Sequence, residues 1–453
     1  MTYPTSLFSS NLKINKENDF GGEISIAGCS AQSLVKEFGS PLFVIDQADF
    51  YTRTNTWRDS LIAAFGGGNL YYAAKSFICV EVAKWLLELK VNLDVCTDGE
   101  LSVALAAKFP ADRIEFHGNN KSEDEIEMAI KAGVGTIVID SFIEIDRVAK
   151  AAKAAGKVQK VYVRLTPGVE AHTHEFISTA HEDVKFGFSI ASGAAMQAIE
   201  KCMAESSLLL AGVHCHIGSQ IFEVEGFTIA AQRLISMLAA FRDKYGKELP
   251  ELNIGGGYGI AYTKSEKAIA PDLVMPVIAK TIKDECAKLK LVVPNISIEP
   301  GRAIVGPTTT TIYQVGTVKL VTLEDGKVRR YISVDGGMSD NIRPALYGAK
   351  YTALLANRSS TAKAVNSRIV GKHCETGDIL IFDLDLPEDI APGDLLAFPA
   401  TGAYGRSMAS NYNHMPRPAV VAVLNGTART ILRRENHTDL LSLDVIEAPR
   451  QLS

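Results

Sequence analysis

The sequence predicts an α/β protein: a (β/α)8 barrel of the TIM type, joined to a second, mostly β domain. Three observations predict it. Eight strand candidates alternate with helical patterns between Leu70 and Gly301, which is the count and span of a closed barrel rather than of an open doubly wound sheet. Chemistry-bearing residues recur at the C-terminal ends of those strands, the face on which barrels of this kind gather their sites. After about Val305 the chain becomes rich in β-branched runs and poor in helical patterns. The expected division is a barrel over residues 46–305 and a β-rich domain built from 1–45 and 306–453.

Taken in order, the first 45 residues hold a short strand (23–26), a helix (31–38) and a strand (42–45). The barrel strands then end at Lys75, Thr97, Gly118, Asp140, Leu165, Gly218, Gly255 and Glu299. Apolar residues at helical spacing mark helices over 80–89, 123–132, 143–155 and 230–245,. The stretch 169–188 is too long and polar for a simple turn, so it reads as a loop inserted after the fifth strand,. Its His172, His174 and His181 are given no role beyond closure over a site. Further strands are expected over 308–323, 327–334, 378–384, 395–398 and 419–428.

Composition narrows the function classes. Of 453 residues 47% are hydrophobic and 22% charged, with a net charge of −5, which speaks against a general nucleic-acid surface. The apolar runs look too short or too interrupted to cross a bilayer, and residues 1–10 lack the basic and apolar regions of a secretory signal,. Seven cysteines with no C-x-x-C pair suggest reduced thiols in a cytoplasmic protein,.

Each strand-end residue has a dull explanation alone, but together they fit one ligand. Lys75 closes the aromatic and apolar run 69–74. A lysine there is poorly suited to a core unless it is ion-paired or forms a Schiff base with a carbonyl. Gly255-Gly256-Gly257 offers backbone N–H groups to an anion such as a phosphate, and Ser219 with the backbone of Gly301 and Arg302 can add to it,. Asp94, His117 with Asn119, and Arg164 end other strands. Glu299 is placed to be a buried carboxylate against a pyridine nitrogen, and His216 to lay its ring on the face of that pyridine,. A competing reading takes His214 and His216, two apart on a strand, as metal ligands of a barrel hydrolase,. That reading leaves Lys75 and the glycines without a task, so no metal is assigned.

The motifs Tyr72-Ala73-Ala74-Lys75, His216-Ile217-Gly218-Ser219-Gln220, Gly255-Gly256-Gly257 and Glu299-Pro300-Gly301-Arg302 resemble those of the pyridoxal-phosphate enzymes of the alanine-racemase fold type. Gly371-Lys372-His373-Cys374-Glu375-Thr376-Gly377-Asp378 is similar to the decarboxylase branch. Within that branch, the runs 335–347 and 402–408 resemble the diaminopimelate decarboxylase family. The resemblance spans about Pro41 to Ala419. One departure lies at Met415, where the family usually has an arginine before the proline.

The resemblance implies a homodimer with shared sites, pyridoxal 5'-phosphate as cofactor, and decarboxylation of meso-2,6-diaminopimelate to L-lysine and carbon dioxide, the last step of lysine biosynthesis. Lys75 holds the cofactor as a Schiff base; Asp94, His216, Ser219, Gly255, Gly256, Gly257, Glu299, Gly301, Arg302 and Tyr404 bind it. Arg343, with Arg302 and Tyr347, takes the distal carboxylate of the substrate; an arginine there suits a bidentate grip and has no use in a decarboxylase of ornithine. Glu375 pairs with the distal ammonium. Cys374 and Glu375 reach the partner's site, and either Cys374 or Lys75 supplies the final proton. The alternatives are another basic amino-acid decarboxylase or a racemase on the same fold, the metallohydrolase, and an inactive relative that only binds a partner.

Overall fold

The computed structural model describes residues 7–169 and 185–445. The histidines of the loop inserted after the fifth strand (His172, His174, His181) lie outside the described residues. The chain forms two compact units, one of Asp49–Ala261 with Ser265–Gly306, the other of Met1–Ala48, Tyr262–Lys264 and Pro307–Ser453.

The first unit is a closed barrel. Its strands are β1 (Asn69–Ala73), β2 (Asn92–Val95), β3 (Ile114–Phe116), β4 (Thr136–Ile139), β5 (Gln159–Thr166), β6 (Leu208–His214), β7 (Glu251–Asn253) and β8 (Asn295–Ile298). Every neighbouring pair is parallel, and β8 returns to β1 through Ser297↔Asn69 and Ile298↔Leu70, so no edge remains,. The strands are short apolar runs such as Thr136–Ile139, buried throughout, as expected where helices cover the outer face. Those helices are α1 (Val80–Glu88), α2 (Asp98–Ala106), α3 (Glu123–Ala132), α4 (Phe142–Ala154), α5 (Ala194–Ala204), α6 (Val224–Tyr245) and α7 (Pro271–Leu289). Local chemistry sets their ends. Ser122 and Glu125 form a capping box at the start of α3, and Gly133 ends it in the left-handed region at φ +83°,.

Two readings of the barrel sequence are corrected. The sixth strand stops at His214 rather than reaching Gly218, because the chain turns through Gly218 (φ +140°) and Gln220 (φ +59°). His216 therefore lies beyond the strand. One helix, α6, with 22 residues and a mean hydropathy of 1.2, is long and apolar enough to cross a membrane, contrary to the reading that no run is. Its apolar face, including Phe227, Leu234, Leu238 and Phe241, is buried and it packs along α7.

The second unit is a twelve-stranded sheet. Its main path runs Leu12–Asn18, Gly21–Ile26, Leu354–Leu355, Leu395–Phe398, Thr309–Thr322, Val328–Val334, Ala364–Val370 and Ile379–Pro387. Strand Leu42–Asp46 pairs with both Thr309–Thr322 and Ala419–Leu424. The N-terminal segment thus belongs to this sheet. The β-rich run 419–428 enters a hairpin, Ala419–Leu424 and Thr427–Leu432, turning at Asn425 (φ +49°) and Gly426 (φ +78°), the backbone that an Asn-Gly pair favours.

Candidate active site

The C-terminal ends of the barrel strands enclose a cavity of about 710 Å³. Lys75, Asp94, His117, His214, His216, Ser219 and Glu299 line it, with Cys96, Asn119, Arg164 and Phe186 around them. Lys75 is half-buried in the single turn Ala74–Ser76 that follows β1.

Glu299, just past β8, is 4% exposed. Its Oε1 receives Asn253 Nδ2 at 2.8 Å, with His214 Nε2 at 3.1 Å and His117 Nε2 at 3.4 Å. Among the described residues no donor reaches Oε2. Burial pushes this carboxyl up, but the rings of His214 and His117 outweigh it and hold Glu299 below the usual carboxylate range. The neighbouring acids go the other way. Asp94 and Glu115 are raised well above it, first by burial and then by the charge of Glu299. Burial lowers His117 and His214, and the charge of Glu299 opposes it,.

His216 accepts the Gly256 N–H at its Nδ1, 3.4 Å away. Burial, then Lys75 and Arg164, hold it well below the usual histidine range, so the ring facing the cavity is neutral. The three glycines act first as close-packing residues. A Cβ on Gly255 would sit 2.3 Å from the Cys215 carbonyl oxygen, one on Gly256 2.1 Å from that of Glu299, and one on Gly257 2.3 Å from that of Gly218. Two of their N–H groups are used internally, Gly255 to Asn253 Oδ1 at 2.9 Å and Gly256 to His216. The Gly257 N–H has no partner among the described residues. Gly301 lets β8 approach Ala73 and Ser76, whose atoms lie 2.9 Å from its Cβ position. Arg302 Nη2 donates to Ser219 Oγ at 2.9 Å.

The remaining residues of interest lie in the β-rich unit. Arg343 is 6% exposed; its Nη1 donates to the Tyr351 hydroxyl at 2.6 Å, and its guanidinium stands 4.5 Å above the Tyr262 ring. No carboxylate pairs with it among the described residues. Tyr347, on the same short helix Arg343–Tyr347, is exposed. Tyr404 is half-buried with φ +59°. Cys374 is exposed, its N–H held by Asn413 Oδ1 at 3.1 Å, and Glu375 Oε2 lies 3.5 Å from the Tyr412 hydroxyl. None of the seven cysteines forms a disulfide.

The metal reading needs His214 beside His216. Instead the ligand atoms of His214 lie within 4.8 Å of those of His117 and Glu299, and His216 is not in that group. Two residues of the cluster escape a sequence reading, Glu115 and Asn253. The only signal is a polar residue at the middle or end of an otherwise apolar strand, as in Ile114-Glu115-Phe116 and Leu252-Asn253-Ile254.

Over residues 47–306 the chain matches the pyridoxal-binding domain of the pyridoxal-dependent decarboxylases. The chain belongs to this family. Among similar decarboxylases, the diaminopimelate decarboxylase of Mycobacterium tuberculosis is 53% identical over 95% of this chain and 97% of its own. That of Bacillus subtilis is 45% identical over 94% of this chain and 95% of its own. The solved diaminopimelate decarboxylase of M. jannaschii in complex with L-lysine superposes with a TM-score of 0.88 at 29% identity, covering 97% of this chain and 98% of that one.

As in a pyridoxal-dependent decarboxylase, the donor set fits pyridoxal phosphate. The cavity offers one amine, Lys75, a flat neutral imidazole on its wall, and a carboxylate, Glu299, with one oxygen held by Asn253 and the other left open. An ionised carboxylate of that kind suits a protonated ring nitrogen.

Proposed function

We propose that this chain decarboxylates meso-2,6-diaminopimelate to L-lysine and carbon dioxide, the lysine-forming step of biosynthesis, with pyridoxal phosphate anchored on Lys75. The observation that carries the reading is Glu299, ionised in the lining of the cavity that Lys75 also lines, with Oε1 held by Asn253 and Oε2 without a donor among the described residues. The substrate follows from relatives named diaminopimelate decarboxylase and from Arg343, a buried guanidinium with no carboxylate partner among the described residues,.

When bound, the cofactor supplies an electron sink for the pair left behind as the α-carboxylate departs. Glu299 would keep a proton on the ring nitrogen of a bound cofactor. His216, kept neutral, lies against the ring face without adding a positive charge there. Ser219, held by Arg302, receives the phosphate together with the Gly257 and Gly301 backbone; Gly255 and Gly256 hold the strand ends close enough for that. Asp94, pushed toward its protonated form by burial and by the charge of Glu299, adds to the cofactor contacts, and Tyr404 completes them. Arg343, Arg302 and Tyr347 bind the distal carboxylate and Glu375 the distal ammonium. Cys374 or the Lys75 amine returns a proton to the product carbon. The working form is a cytoplasmic homodimer in which Cys374 and Glu375 serve the partner's site, with neither nucleic acid nor membrane as a partner. The barrel spans residues 46–305.

The test is an absorbance spectrum of the purified protein, then addition of meso-diaminopimelate with carbon dioxide and lysine measured. A visible band lost in Lys75→Ala, with equal amounts of both products, is the expected result. A band without carbon dioxide would leave the cofactor and sink the substrate, and an epimerised product would point to a racemase. A second reading is favoured by the spacing of His117, His214 and Glu299: a metal-dependent hydrolase, which predicts bound metal and no band even after pyridoxal phosphate is added.

A further inference from the structure

Glu299 has two chemically equal oxygens, yet only one is open to the cavity, so something distinguishes them. Asn253, at the end of β7, is fully buried, as is Glu115 on β3. In the strand order of the barrel, β7 and β3 are four steps apart in either direction, so the amide of Asn253 reaches across the barrel interior. Its Oδ1 accepts the Gly255 N–H at 2.9 Å. That bond settles which end of the amide faces inward, because the opposite placement would turn a carbonyl oxygen toward two carboxyl groups. The two hydrogens of Nδ2 then go one each to Glu115 Oε2 and Glu299 Oε1, both at 2.8 Å.

We propose that Asn253, braced between the Gly255 backbone and Glu115, is the positioning residue that fixes Glu299 with one oxygen spent and the other presented to the cavity. The inference rests on the pyridoxal reading above and deepens it. Asn253 touches neither the cavity nor any substrate-facing group; it acts through Glu299. His214 and His117 also approach Oε1, but each is a ring that can turn or exchange tautomers, whereas the amide is fixed at three points. The brace is electrostatically consistent. Burial and the charge of Glu299 push Glu115 toward its protonated form, which lets one amide group serve two carboxyls with less repulsion between them. Without Asn253, Glu299 loses its least mobile donor. Its carboxylate becomes free to rotate and more basic, and the ring nitrogen holds its proton less firmly.

The test uses holoenzyme loaded with ring-nitrogen-labelled pyridoxal phosphate, and reads the nitrogen chemical shift of the resting enzyme beside steady-state kinetics. Asn253→Leu removes both donors and keeps the branched outline of the side chain in a larger volume. Asn253→Ser also removes them but leaves room for water, which can satisfy the carboxyls without fixing them, and so guards against a folding failure of the first variant. Both are expected to move the shift toward the unprotonated nitrogen, in the same direction as Glu299→Gln, and to lower kcat about 10- to 100-fold with KM little changed, the range carried by hydrogen-bond partners one step from a reactive centre. A protonated-nitrogen shift in every folded Asn253 variant, as in the parent, would overturn the positioning role while leaving the cofactor reading intact. A parent enzyme that takes up no cofactor, or holds it unprotonated, overturns the reading of Glu299 and this proposal with it.

Discussion

At Glu299 the outcome of burial is decided by neighbours. Three carboxyls, Asp94, Glu115 and Glu299, are each at most 4% exposed, and desolvation alone would protonate all of them. The Asn253 amide donates to one of them, the rings of His214 and His117 lie 3.1 and 3.4 Å from the same oxygen, and that carboxyl stays ionised. Glu299→Gln keeps the shape and removes the charge; kcat is expected to fall about 10²- to 10³-fold, as when one preorganised electrostatic partner is lost, with the cofactor band retained. A different buried acid gives a stability prediction. Asp340 accepts from the Tyr313 hydroxyl and, at 2.9 Å, from the Gly337 N–H; burial raises it to about 7. Its folded-state value is above its unfolded one, so its contribution is fully present below about pH 4 and is lost as pH rises through about 7. Asparagine keeps the Gly337 bond at its Oδ1, turns the Tyr313 bond round so that Nδ2 donates to the phenol oxygen, and has no proton to lose,. Asp340→Asn should match the parent in melting temperature near pH 4 and exceed it at pH 8, where the gain in stability is a few kcal/mol at most. Thermal unfolding at the two pH values checks it, and a variant less stable than the parent at pH 8 would contradict it.

At the scale of elements, the glycine run is a spacing device before it is a ligand. Gly256→Ala would put a methyl group 2.1 Å from the Glu299 carbonyl oxygen, a backbone atom that cannot turn aside. The ends of β7 and β8 must part, at a cost of about 1–3 kcal/mol as for overpacked sites, and Glu299 moves with them. A lower melting temperature together with faster loss of pyridoxal phosphate on dialysis is expected; unchanged retention would show that the approach is not needed. The sequence makes this architecture legible in its periodic parts. Eight apolar runs, their helices and the positions of Lys75 and Glu299 just past their strands are all local signals. The end of β6 is not, because it depends on left-handed backbone at Gln220, a residue with no strong preference for it,. The hairpin at Asn425-Gly426 carried a plain turn signal that the apolar runs on either side masked,. Glu115 and Asn253 were hidden for a deeper reason. A polar residue in an apolar strand reads as an isolated exception until the barrel closes and brings β3, β7 and β8 around one axis.

For the whole molecule, the question is how many copies of the chain make one site. Cys374 sits on an exposed turn whose backbone is nonetheless fixed: Asn413 holds its N–H, and His373, 3.0 Å from Asp378, stacks on Tyr412. The same unit exposes Leu346, Tyr347, Phe382 and Tyr412, each more than 40% accessible. An ordered polar turn among exposed apolar side chains suits a face covered by another protein surface, and two-fold pairing of identical chains is the commonest such cover. If the partner's Lys75 works with this chain's Cys374, two separately inactive variants can repair each other. Lys75→Ala removes the anchor, and Cys374→Ala is expected to lower activity by about 10²- to 10⁴-fold, as for a lost proton donor. Random exchange makes about half of the dimers mixed, and one of the two sites in each mixed dimer then has both residues, so activity should recover to about a quarter of the parent's. Sites confined to single chains would give no recovery at any mixing ratio. A fully active Cys374→Ala would instead leave Lys75 as the proton donor, and Glu375→Ala would then replace it in the same mixing measurement.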